Sequence, residues 1–213
     1  MRDMGKIPKV FEACQKSLRE ISCDTSQKRN EYMCSSALPA FDFDAIKEWY
    51  AETYLPGLSM TPCSNDALWL NEKHITFIEF KNGKIDGSEN NKIIFKLYDS
   101  LLLLLDEKLD VSWYQEDFKP NISYTREHMD YILVYNQEKF DKKNLTPQTR
   151  RGKERQLQDS SHRTLMYKTL RNLGKKSLIL FGLDRFEGYL FHRVYTMDQV
   201  EFEKYLVDCG VNF

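Results

Sequence analysis

The stretch NDALWLNEKHITFIEFKNGKI, residues 65–85, decides how this chain folds. Within it, ITFIEFK (75–81) sets Ile75 and Phe77 on one face of a strand and Ile78 and Phe80 on the other, the pattern of a strand covered by protein on both sides. Ala67-Leu68-Trp69-Leu70 is a second apolar run, and the turn-like Asn71-Glu72-Lys73 between the two predicts an antiparallel hairpin. Glu79 and Lys81 then end a buried strand on one face, where an unpaired charge is very costly. Asp66 opens the first strand of the same hairpin. The pairing therefore brings the start of one strand beside the end of the other, and two carboxylates and a lysine converge.

An Asp, then an apolar strand ending in Glu-x-Lys, then a helix: this order resembles the core of the PD-(D/E)xK phosphodiesterase superfamily, the restriction-endonuclease-like nucleases, over roughly residues 42 to 136. The resemblance implies an α/β fold with a mixed central sheet flanked by helices, and a metal-dependent nuclease that hydrolyses phosphodiester bonds. Asp66 and Glu79 offer the hard oxygen ligands that suit Mg²⁺ or Mn²⁺. By the resemblance, Lys81 would orient or deprotonate the attacking water, or neutralise the transition state. Two departures stand out: Ser64-Asn65 rather than a Pro precede Asp66, and no Gln-x-x-x-Tyr follows the motif, only Lys92-x-x-x-Lys96 and Tyr98. Two other readings remain open. The trio is a structural ion pair at a strand end, or the chain is a catalytically inactive nuclease-like module that binds nucleic acid or a protein partner.

The chain has 213 residues, enough for one full α/β core and an appendage. The expected division is an N-terminal helical extension (1–36), a nuclease-like core (37–140), and a basic loop with a C-terminal β-hairpin and helix packed on the core (141–213). A 13% aromatic content argues against a disordered chain, and no apolar segment reaches membrane-spanning length. Cys14, Cys23, Cys34, Cys63 and Cys209 are odd in number and form no CxxC pair, which argues against a disulfide scaffold and for a reducing cytoplasm.

Formal charge is close to zero but unevenly spread. Residues 141–176 hold eleven Lys and Arg against three acidic residues, including Arg150, Arg151, Lys153 and Arg155. Such a block fits a nucleic-acid face, because phosphate contacts by Lys and Arg dominate affinity; a solvated linker is the alternative. Nucleic acid, DNA ahead of RNA, is the expected partner, with a homo-oligomer or a protein partner also open and no membrane.

Taken in order, the pattern predicts a helix over Pro8 to Ile21, and a second helix capped by Asp42 or Asp44 that carries Ile46, Trp49, Tyr50 and Tyr54. Glu48 and Glu52 on that helix read as solvent-exposed rather than as extra ligands. A short strand is expected at 58–63, then the hairpin, then a helix over 91–105 with Lys92 and Lys96 on one side, in reach of a substrate phosphate or simply on the surface. Met129 to Tyr135 reads as an inner strand. Residues 177–183 and 189–195 read as a hairpin, and Thr196 to Gln199 as a capping box that opens a last helix. His74, His128, His162 and His192 stand apart from any Cys or Ser pattern, and no G-x-S-x-G or phosphate-cradling glycine loop is present, so acyl transfer and nucleoside-triphosphate hydrolysis are not expected.

Overall fold

The hairpin forms as its sequence requires. In the computed structural model, which describes residues 7–25, 30–71, 74–139 and 179–210, strands β5 (Ala67–Leu70) and β6 (Ile75–Lys81) pair antiparallel, with Ala67 opposite Ile78 and Leu70 opposite Ile75. Asn71 closes the turn: its amide donates to the His74 carbonyl at 3.1 Å, and its side chain accepts from the His74 amide at 2.9 Å. On the other side, β6 pairs in parallel with β7 (Met129–Tyr135), every residue of which is buried. The result is an α/β fold around a mixed six-stranded sheet, whose outer strands are β1 (Gln15–Ser17) and β4 (Pro39–Asp42) on one flank and β8 (Arg193–Asp198) on the other. Two short strands, β2 (Cys23–Asp24) and β3 (Glu31–Tyr32), make a separate ribbon.

Helices cover both faces. Helix α3 (Phe43–Tyr54) and helix α4 (Gly87–Leu104) lie on the face carrying Leu68, Phe77, Tyr131 and Leu133. The periodicity predicts a buried stripe of Ile93, Ile94, Leu97, Leu101, Leu102 and Leu105; helix α4 buries Ile93, Leu97 and Leu101 of these, adds Leu103 and Leu104, and turns Leu102 to solvent at 66% exposure. Each of the buried side chains contributes on the order of 1.5–3 kcal/mol by leaving water. The opposite face, with Ile78, Phe80, Ile132 and Val134, is covered by Leu18, Met33, and Phe202 and Leu206 of the last helix, α6 (Gln199–Asp208). No helix among the described residues is long and apolar enough to cross a membrane.

Four local expectations are corrected. The N-terminal helix breaks into α1 (Lys9–Ala13) and α2 (Leu18–Ile21), because residues 15–17 between them pair with β4, and strand pairing overrides local helix preference. Residues 58–63 form no strand; the antiparallel neighbour of β5 is β4, and the Cys63 amide donates to the Asp99 carboxylate instead of to a sheet. A short helix, α5 (Ile122–His128), leads into β7 from a stretch, 110–126, whose sequence is rich in aromatic and turn-forming residues and signals no helix. At the C-terminus, Leu183–Phe186 is a 3-10 turn and β8 runs parallel to β7, so the described residues contain no hairpin there. Consequently segments at both ends of the chain supply strands to the central sheet.

The last helix begins at Gln199, one residue before the Val200 that its sequence suggested, and its capping box is Asp198 with Glu201 rather than Thr196 with Gln199. Asp198 is the N-cap, accepting from the Glu201 amide at 2.9 Å while the Glu201 side chain accepts from the Asp198 amide at 3.0 Å. Replacing Asp198 by Ala should cost about 1 kcal/mol, read as a lower urea midpoint with an unchanged slope.

Candidate functional site

One step beyond the pairing of Ala67 with Ile78, Asp66 and Glu79 face each other across β5 and β6, on the side covered by α4. Backbone contacts fix Asp66: its carbonyl accepts from the Phe43 amide at 3.0 Å, and its carboxylate accepts from the Phe80 amide at 2.6 Å. Glu79 has no exposed surface. Lys96, one α4 turn before the buried Ser100, reaches down between the two acids and lies 3.0 Å from Asp66 and 2.9 Å from Glu79. Lys81 extends the cluster outward, 3.2 Å from Glu79 and 3.6 Å from Glu89, whose other oxygen meets Lys92 at 2.5 Å.

The electrostatics are unbalanced at Glu79. Burial and then the charge of Asp66 push its carboxyl up to about 7, against the pull of Lys96 and Lys81. Burial pushes Asp66 up as well, opposed by Lys96 and by the Phe80 amide. Burial works against the charge on Lys96, but the two acids outweigh it and hold the ammonium protonated far into the alkaline range. Two carboxylates thus share one inner ammonium. Although Oε1 of Glu79 has both lysines within ion-pair distance, neither is aligned for a hydrogen bond to it. The buried Tyr131 hydroxyl and the buried Asn65 carboxamide also lack hydrogen-bond partners.

A cleft of about 900 Å³ opens beside this cluster. Asp66, Lys81 and Glu89 line its floor with Asp42, Asp44, Asn82 and Lys84, and the β2–β3 ribbon forms another wall through Asp24 and Glu31. The ribbon is tied to the end of β6 by Asn82, whose amide nitrogen lies 2.8 Å from both Asp24 and Glu31. Seven carboxylates against three lysines give the lining an acidic balance, which repels a bare phosphate backbone and attracts cations.

The expected site residues thus come together in part. Asp66, Glu79 and Lys81 converge as their spacing predicts. Lys96, expected to face a phosphate, is committed to the two carboxylates, and Lys92 sits outside on Glu89 with 63% of its side chain exposed. Glu48 and Glu52 are exposed. Arg150, Arg151, Lys153 and Arg155 lie outside the described residues. A second cluster escaped the sequence reading: His74, just before β6, Asp130 of β7 and His192, just before β8, come together at the opposite end of the sheet. Its one signal was positional, since each residue stands at the start of a strand, but only the parallel register puts those starts side by side.

Neither the scan against protein-family models nor the searches of curated proteins and of solved structures found a match.

Proposed function

We propose that this chain is a metal-dependent phosphodiesterase acting on nucleic acid, DNA ahead of RNA, built on a restriction-endonuclease-like core. The observation that carries the reading is the juxtaposition of Asp66, just before β5, with Glu79 and Lys81 of β6, where Asp66 and Lys81 line an open cleft and Glu79 is buried beneath them. The donor set fits Mg²⁺ or Mn²⁺: both acids present hard oxygens, and the Lys96 ammonium already occupies a point 2.9–3.0 Å from both. A bound divalent cation would supply Lewis acidity and a more acidic water. The chain's own part is to hold both carboxylates with backbone donors and packing, and to place the Lys81 ammonium on the same strand face as Glu79. There the side chain would take a proton from the attacking water in its neutral amine form, or as the ammonium neutralise charge developing on the phosphate, as the phosphorus–oxygen bond to the leaving group breaks. The acidic lining means that substrate affinity must come from elsewhere, and the basic 141–176 segment is the natural source.

One observation favours a second reading. Lys96 neutralises both carboxylates from within, as it would in a nuclease-like module that binds without cutting. Incubating the protein with single- and double-stranded DNA and RNA in Mg²⁺, Mn²⁺ or EDTA separates the two. Cleavage in metal that EDTA abolishes is the expected result. Salt-sensitive retention of nucleic acid with no cleavage in either metal would overturn the enzymatic reading and leave the binding module.

A further inference from the structure

We propose that His74, Asp130 and His192 form a second, separate metal site that takes Zn²⁺ or a similar borderline transition-metal ion. The three ligand atoms lie within 4.8 Å of one another. Nδ1 of His192 stands 3.2 Å from one Asp130 oxygen, and Nδ1 of His74 stands 4.0 Å from the other. Zn²⁺ bonds of about 2.0–2.2 Å in a tetrahedron set neighbouring ligand atoms about 3.3–3.5 Å apart, so the His192 distance is already near its bound value, and the His74 nitrogen, measured to the other carboxylate oxygen, must move closer.

The residue types point the same way. Two imidazoles and one carboxylate select Zn²⁺ and its neighbours over Mg²⁺ or Ca²⁺, which prefer all-oxygen shells. The rings stack nearly parallel, with centroids 5.0 Å apart and 15° between planes, and both turn Nδ1 toward the same acid. Nδ1 of His74 is itself buried and makes no hydrogen bond. The acid is held from behind. Asp130 accepts from the Arg193 amide at 3.0 Å, and the His192 amide donates to the Met129 carbonyl at 2.7 Å, so carboxylate and neighbouring backbone are fixed in the manner of an outer ligand shell. The side chain of Asp130 is only 7% exposed, whereas those of His74 and His192 are 28% and 39% exposed. A three-ligand site open on its histidine side leaves a fourth position to water or to a small anionic ligand. Four residues of β6 lie between His74 and Glu79, which sets them about 17 Å apart along the strand, so no ligand can be shared with the Asp66–Glu79 cluster.

The alternative is a pair of histidines that merely flank a buried aspartate. Co²⁺ titration of the full chain distinguishes the two, carried out with the exposed Cys63 and Cys209 replaced by Ser so that thiolates cannot compete. One equivalent of Co²⁺ should develop the intense visible absorption of a low-coordinate site, and Zn²⁺ should displace it. His74→Gln and His192→Gln should each weaken Zn²⁺ binding by at least about tenfold, while Glu48→Gln, an exposed acid outside both clusters, binds as the parent does. Should His74→Gln lower the melting temperature, the more exposed His192→Gln carries the same comparison. Absence of the spectrum, or a spectrum that survives both histidine substitutions, would overturn the site.

Discussion

At pH 8 a Glu79→Gln variant is expected to melt higher than the parent chain and to have lost its Mn²⁺-dependent cleavage. The stability effect follows from the raised Glu79 pKa. A carboxyl that titrates near 4.5 in the unfolded chain and near 7 when folded is most favourable to folding below the lower value. That contribution is lost as pH rises from about 4.5 to about 7, a window worth about 3 kcal/mol. Gln imitates the protonated form and removes the penalty, so the variant should gain up to about 3 kcal/mol at pH 8 and nothing at pH 4. For a chain of this size the gain corresponds to roughly 6–12 °C in melting temperature. On the proposed reading cleavage should fall by on the order of 10²–10³-fold or more, because the substitution would remove a metal ligand and a fixed charge at the reacting centre. A residue whose loss both stabilises and inactivates is kept for chemistry. Thermal melts at pH 4 and pH 8, with a cleavage assay, check both halves; a lower melting temperature at pH 8 would show instead that the acid serves only as a structural partner.

Lys96→Ala has the opposite sign. Removing the ammonium leaves Asp66 and Glu79 facing each other in a buried setting, and breaking a buried pair in this way costs on the order of 3–5 kcal/mol. The loss should be smaller at pH 6 than at pH 8, since Glu79 can then take up a proton and shed its charge. Divalent cation should restore what the lysine provided. At a Mn²⁺ concentration 100 times the dissociation constant, binding to the folded state alone returns about 2.7 kcal/mol. A melt of Lys96→Ala that recovers with Mn²⁺, and a parent chain that binds Mn²⁺ more weakly than the variant, are the expected results. If Mn²⁺ leaves the variant's melt unmoved, the carboxylates are not a divalent-cation site.

Much of this was readable in the chain because the decisive signals were local. ITFIEFK carries apolar residues on both faces, so its place as an inner strand needed no partner to be seen. The hairpin register followed from Asn71 and the spacing of Asp66 and Glu79, and helix α4 from its periodicity. What failed depended on distant partners. Residues 15–17, Gln-Lys-Ser, are polar at all three positions and become a strand only because Pro39 to Phe41 lie beside them. Arg193 to Asp198 take their parallel place because β7 offers a free edge. Lys96 looks the same in sequence whether it meets a phosphate or a carboxylate. His74, Asp130 and His192 are far apart in the chain and carry no motif; only the alignment of three strand starts joins them.

The parallel pairing of β7 with β8 also bears on how the chain assembles. Leu70 finds Ile75 across a tight turn, whereas Asp130 must meet Arg193, 63 positions away. Local pairs close first and remote ones late, which puts the hairpin among the early contacts and β8 among the last. The entropy of closing so long a connection rises only logarithmically, by about 0.6 kcal/mol for each doubling of length. By this closure entropy alone a change in the length of the connection alters stability little, whereas the buried Leu183, Phe186, Leu190 and Phe191 within it must stay in place. A tight turn leaves the hairpin that carries the carboxylates no such latitude in length.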